Sequence, residues 1–155
     1  MTGFENLMVE LTGSICDKKP KGAANCFCED GVYHDVFYGA FKGRSNIENL
    51  IQNYFYRDGR DFRWDIHDPV SSGSYGYCRY LFSFESKLKE AQGQRTVFEG
   101  VSVVHLKGGL IKTYSEVADT FPALQKIGFT AERLERLAKK KGEELQARKD
   151  VLAHL

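Results

Sequence analysis

The chain has 155 residues, 22 Lys plus Arg against 21 Asp plus Glu, a formal net charge of +1, and 13% aromatic residues (11 Phe, 8 Tyr and one Trp). That length fits one domain with a full-sized core, and the near-zero charge argues against a dedicated nucleic-acid binder, which carries a basic excess. The aromatic share excludes disorder, no window of 18 apolar residues offers a membrane span, and acidic Met1–Glu10 does not read as a signal peptide.

In chain order, Phe4, Leu7, Met8, Leu11 and Ile15 fall on one face of a helix over 4–16, with Thr2 and Glu5 as a capping box. A basic, Pro-containing break at Lys18–Gly22 precedes a short helix at Ala23–Cys28, closed by Asp30-Gly31. Gly31–Phe41 alternates as a strand, with Val32, His34 and Val36 on one side and Tyr33, Asp35 and Phe37 on the other. Ser45 caps the next helix, with Glu48 at the capping-box position; Ile47, Leu50, Ile51, Tyr54 and Phe55 are its apolar face, and Arg57-Asp58-Gly59 stops it. Four strands follow: Phe62–Val70, Tyr75–Leu88, Arg95–Leu106 and Leu110–Ala118, with turns at Ser71-Ser72-Gly73, Ala91–Gln94 and Lys107-Gly108-Gly109. Thr130 opens a final charged helix to Leu155, whose Lys139-Lys140-Lys141 run reads as a solvated face. This order gives an α+β fold, a strongly bent antiparallel sheet wrapped around the N-terminal helices with a concave interior.

Cys26-Phe27-Cys28 is C-x-C, not the C-x-x-C of a zinc site, and Cys16, Cys26, Cys28 and Cys78 read as reduced thiols of a cytoplasmic protein. The 4 His lack metal-ligand spacing, and no Gly-rich phosphate loop is present, so neither a metal nor a cofactor is expected.

Cys26–Asp35 resembles the "F-x-x-D-x-x-x-x-D" opening of the nuclear transport factor 2-like superfamily. Phe41–Ile47 resembles its "F-x-G-R-x-x-I" helix start, Phe98–Val104 its "F-x-G-V-x-V-F" strand, and Gly109-Leu110-Ile111 with Glu116 and Asp119 its closing motif. The nearest branches are the SnoaL-like polyketide cyclases and the ketosteroid isomerases. The resemblance implies a cone-shaped half-barrel over 1–120, a helical extension over 121–155 outside the usual pattern, a deep apolar pocket and a homodimer.

Asp35 sits where those isomerases place their catalytic base. Pointing inward beside Tyr33 and Phe37, it would be partly desolvated and its pKa raised toward a useful value. The other reading is a strand-end aspartate bonded to a backbone amide. On the last strand Tyr114, Glu116 and Ala118 share a face, which the resemblance makes inward, so Glu116 is the partner acid, or else it pairs with Arg79 or Arg44. Tyr33, Tyr54, Trp64, Tyr80, Ser102 and Tyr114 are candidate pocket residues. The isomerase oxyanion donors correspond to Leu11 and Ser102, a poor match, and Trp64 takes the place of the dehydratase His before Asp68-Pro69. His34, His67 and His105 read as surface or interface residues.

The expected function is cyclisation, isomerisation or dehydration of a small hydrophobic polyketide-, terpenoid- or steroid-like molecule, with neither nucleic acid nor membrane as partner. The alternatives are a non-catalytic carrier of a hydrophobic ligand and an oligomerisation module.

Overall fold

Helix α1 (Gly3–Cys16) buries Phe4, Met8, Leu11 and Ile15 along one stripe, as the apolar spacing dictates. The computed structural model describes residues 3–155, so the expected Thr2 cap lies outside the described residues. Helix α2 (Pro20–Asn25) starts earlier than the sequence suggests. Pro20 is no break: it stands in the first turn, where its missing N–H has no intrahelical partner to lose. The helix then ends in time for Phe27 to begin a strand.

Six strands form one open, curved sheet: β1 (Phe27–Asp35), β2 (Gly39–Lys42), β3 (Gly59–Ser72), β4 (Tyr75–Ser86), β5 (Arg95–Lys107) and β6 (Leu110–Ala118), in the order β2-β1-β6-β5-β4-β3. The stretch read as one strand over 31–41 is a hairpin. Asp35 ends β1, residues 36–38 turn, and β2 returns antiparallel from Gly39, which has φ 89°. Every neighbouring pair is antiparallel except β1 and β6, which run parallel with Tyr33 opposite Tyr114.

Bulges bend the sheet. The β3–β4 register slips between Arg60 and Arg63 and again between His67 and Val70. Asp61 (φ 48°) and Asp68 (φ 51°) occupy those slips in the left-handed region, which aspartate tolerates better than most residues.

Between β2 and β3, helix α3 (Arg44–Leu50) runs through a π-helical turn, Ile51–Phe55, into α4 (Tyr56–Asp58). Ser45 is not its N-cap. Gly43, at φ 84°, precedes the first helical residue, and the strand anchors the start. The Gly43 N–H donates to Gly31 O at 2.7 Å, and Arg44 Nε donates to Phe27 O at 2.8 Å.

The helices fill the concave side of the sheet. Met8, Leu11, Ile47, Leu50 and Ile51 pack against Phe27, Tyr33, Cys78, Tyr80, Val104 and Tyr114. Tyr77, Leu81, Val97, Val101 and Val117 stay exposed on the convex side. Beyond β6, α5 (Phe121–Lys126) and α6 (Ala131–Gln146) lie across the open end. The Thr130 side chain accepts the Arg133 N–H at 3.3 Å, the cap expected, but α6 stops at Gln146 and only a short 3₁₀ turn, Leu152–His154, follows. Leu134 and Leu137 pack with Phe37 onto a small cluster of Ala91, Leu124 and Ile127. Among the described residues no helix is long and apolar enough to cross a membrane.

Close approach of α1 to β4 depends on Gly76. A Cβ there would meet Phe4 Cζ at 2.6 Å, and Phe4 is itself buried. Gly76→Ala is expected to lower stability by about 1–3 kcal/mol, as overpacking does. Urea unfolding would show it as a lower midpoint at unchanged slope.

Candidate active site

Strand alternation and the parallel β1–β6 register build the site. Tyr33 lies opposite Tyr114, and two residues on along the same faces come Asp35 and Glu116. Adjacent strands stand about 4.8 Å apart, so this register brings two carboxyls side by side at the open end of the cone. Both line one cavity of about 50 Å³, walled by Tyr33, Phe37, Phe55, Trp64, Phe82 and Phe98 among others.

Each carboxyl is held by a distinct device. Asp35 Oδ1 accepts the backbone N–H of Phe37 at 2.8 Å and of Tyr38 at 3.0 Å, which fixes the turn after β1. Asp35 therefore both caps a turn and lines the cavity. Its Oδ2 has no hydrogen bond among the described residues. Glu116 Oε2 accepts the Tyr80 hydroxyl. Gly100, on β5 between Tyr80 and Ala118, makes room for that bond. A Cβ there would meet Tyr80 Cζ at 2.6 Å and the Ala118 Cβ at 2.9 Å. Glu116 makes no salt bridge to Arg79, which pairs with Asp68 and Glu99, or to Arg44, which bonds Phe27 O.

Burial sets the electrostatics. It raises the Asp35 carboxyl to about 6, against the pull of its two backbone N–H bonds and the Lys141 ammonium. It raises Glu116 to about 8, with the neighbouring Asp35 charge adding to the effect and the Tyr80 bond opposing it. Two like charges in a poorly solvated cavity cannot both ionise cheaply. Both carboxyls are therefore raised, Glu116 further than Asp35. Burial also pushes the Tyr80, Tyr33 and Tyr114 phenols up, so all three remain donors.

Two further donors line the cavity. The Tyr33 hydroxyl and the Trp64 Nε1–H are buried without a hydrogen-bond partner among the described residues. Leaving a buried donor unpaired costs roughly 1–3 kcal/mol, so both suit a ligand acceptor.

The other candidates lie elsewhere. Tyr80 reaches the cavity only through Glu116. Ser102 and Tyr114 are fully buried and hydrogen-bond each other at 3.0 Å, so neither lines it. Tyr54 points away from it. The π-helical turn sets its ring edge-on to Tyr38 (5.3 Å) and Phe41 (5.4 Å), under the Arg57 guanidinium. Leu11, at the isomerase donor position, is core. His34 is exposed and lines the rim, His105 stacks on Tyr75 at 5.0 Å, and His67 is half-buried with its Nε2 unpartnered among the described residues.

Sequence reasoning missed the residues that shape access. The cavity has room for little more than water, whereas ligand sites usually need roughly 300–1,000 Å³. Beside it lie two more open chambers of about 410 and 320 Å³, and Phe37 and Tyr38 wall all three. Tyr38 is tied to Asp58 by its hydroxyl at 2.6 Å, while Phe37 is held only by packing, with its ring 5.8 Å from that of Phe98. Phe37 is the side chain whose movement would join the chambers. The signal available was Phe37 sharing the Asp35 face; nothing in the sequence marked Asp58 beyond a helix stop.

Among the described residues no group of three or more His, Cys, Asp or Glu is placed to hold a metal, and the four cysteines are unpaired.

Comparisons with known proteins agree with this architecture. Residues 15–114 match the family model of the SnoaL-like domain. A protein of ketosteroid isomerase-like fold from Catenulispora acidiphila, solved with trimethylamine, superposes with a TM-score of 0.73 at 14% identity, covering 81% of this chain and 95% of its own. A SnoaL-like polyketide cyclase candidate from Shewanella putrefaciens gives 0.66 at 13%, covering 81% and 95%. An LEH-like epoxide hydrolase of M. tuberculosis gives 0.65 at 13%, covering 89% and 96%. Curated proteins give no significant match.

The raised carboxyls predict a stability profile. Glu116 binds its proton more tightly folded than unfolded. Its contribution is therefore fully present below the ordinary value of 4.5 and is lost as pH climbs through about 8. Denaturant unfolding between about pH 5 and about pH 9 should show the wild type losing up to a few kcal/mol more than Glu116→Gln, which cannot ionise.

Proposed function

The chain belongs to the SnoaL-like domain family, and from that premise we propose that the cavity is the active site of a general acid/base enzyme. It cyclises, isomerises or dehydrates a small apolar carbonyl compound of polyketide-, terpenoid- or steroid-like kind. One observation carries the reading: two carboxyls of unequal acidity and two unpaired buried donors meet in one aromatic cavity.

Roles follow from these positions. Asp35 is the base: ionised near neutral pH, with Oδ1 fixed and Oδ2 unbonded, it takes a proton from the carbon next to the substrate carbonyl. The charge that develops on the carbonyl oxygen needs donors. Tyr33 and Trp64 supply them in place of the isomerase donors, whose positions here hold Leu11 and a Ser102 already bonded to Tyr114. Glu116, neutral and oriented by Tyr80, gives its proton to the product oxygen or carbon and completes the transfer. Phe37 admits the substrate and seals the site.

The working unit is a homodimer formed through the convex sheet face, where Tyr77, Leu81, Val97, Val101 and Val117 leave an apolar surface exposed. Four unpaired thiols suit a reducing compartment such as the cytoplasm.

The test uses a panel of bicyclic and tricyclic ketones in D₂O, with exchange of the α-hydrogens followed by NMR. The wild type should catalyse exchange. Asp35→Asn should lower the rate on the order of 10²–10⁴-fold, and Glu116→Gln less. Trp64 is the single tryptophan and lies in the cavity wall, so quenching of its fluorescence reads binding separately. Retained quenching with lost exchange is the expected result in Asp35→Asn. Quenching without exchange in the wild type would favour the carrier, and equal rates in Asp35→Asn would overturn its role as base. For the dimer, Val101→Glu should give a mass near 17.6 kDa by light scattering, where the wild type gives twice that.

A further inference from the structure

Helix α6 brings one side chain to this site. Lys141 Nζ donates to Val36 O at 2.6 Å, a bond between residues 105 apart in sequence. Val36 follows Asp35 directly and begins the turn that Phe37 and Tyr38 complete. Lys140 and Lys141 both line the 410 Å³ chamber with Asp35 and Glu116, but Lys140 is exposed like Lys139, whereas Lys141 is half-buried. Leu137, one turn earlier, packs with Phe37 and fixes the helix in that position.

We propose that Lys141 is a positioning residue of the carboxylate site: the C-terminal helix delivers its ammonium to the Val36–Tyr38 turn, where it closes the turn over the cavity and supplies the countercharge for Asp35 and Glu116. This rests on the acid/base reading above and adds a part that lies beyond the matched family segment, which ends at residue 114.

The surrounding charges leave this role to Lys141. On α6, Lys140 faces Glu144 at 3.7 Å, and beyond its end Arg148 pairs with Asp150. From α4, Asp58 is bound by Arg57 and by the Tyr38 hydroxyl. From β1 and β4, Tyr33 and Tyr80 stand beside the pair as neutral phenols, Tyr114 of β6 is bonded to Ser102 behind the wall, and His34 lies exposed at the rim. Lys141 makes no ion pair with either carboxyl among the described residues, and its charge acts on both through space, favouring the ionised form of each against burial. Without it a larger fraction of the pair holds two protons at neutral pH.

The experiment is a carboxyl ¹³C NMR titration of the full chain in wild type, Lys141→Met, Lys141→Arg and Lys140→Met, with α6 docking followed by amide hydrogen exchange. Lys141→Met should move the Asp35 and Glu116 titrations up by about one pH unit, the lower end for a neighbouring charge. Lys141→Arg should restore them and Lys140→Met should leave them in place. The rising limb of the ketone-exchange pH profile should shift with Asp35. Unmoved titrations in Lys141→Met would overturn the proposal, and so would an equal shift in Lys140→Met, which would reduce the effect to net charge. Failure of Lys141→Arg to restore the titrations while α6 stays protected would overturn it as well. The titrations need no substrate, so shifted carboxyls with no ketone exchange in any variant would uphold Lys141 and sink the acid/base reading alone.

Discussion

Burial of two neighbouring carboxyls is the constraint on which the rest of the site depends. It arises from the parallel pairing of β1 with β6, in a sheet whose other pairs are antiparallel. A parallel register sends both strands toward the same end of the cone, so the inward-facing carboxyls near their C-terminal ends emerge together. Removing both from water is opposed by desolvation and by mutual repulsion, which raise both pKa values, and the structure offsets this with backbone donors on Asp35 and a phenol on Glu116.

The scaffold around them is tuned for rigidity at the level of single atoms. Gly100 lets a fully buried tyrosine lie flat against the next strand and reach Glu116. Gly76 lets the first helix seat its Phe4 ring on the sheet. Aromatic rings in edge and tilted contact, such as Trp64 with Phe82 at 4.7 Å and Tyr33 with Tyr114 at 4.6 Å, give the wall a shape that cannot collapse freely. The aromatic excess of the composition is thus divided between solid core and cavity lining.

Where a signal was local, the sequence carried it. Period-two alternation placed Tyr33 with Asp35 and Tyr114 with Glu116, and the spacing of apolar residues set α1. What it could not carry were choices made by partners distant in the chain. The parallel register is a relation between strands about 80 residues apart. The start of α3 was fixed by bonds to Gly31 and Phe27 instead of by the Ser45 hydroxyl. Tyr54 left the predicted lining because a π-helical turn rotated it, and Ser102 and Tyr114 satisfied one another behind the wall. Lys141 was one of three adjacent lysines, and only the packing of Leu134 and Leu137 selected which of them would face inward.

The Phe37 wall has a thermodynamic corollary. Burial is the largest cause of the raised pKa at both Asp35 and Glu116, so the weakened acidity belongs to the sealed form. Any excursion of Phe37 that wets the cavity returns the carboxyls toward ordinary acidity and releases a proton to solvent; resealing takes one up. Such wetting and resealing would be linked to proton release and uptake, with the hydrogen ion acting as a ligand of the sealed form.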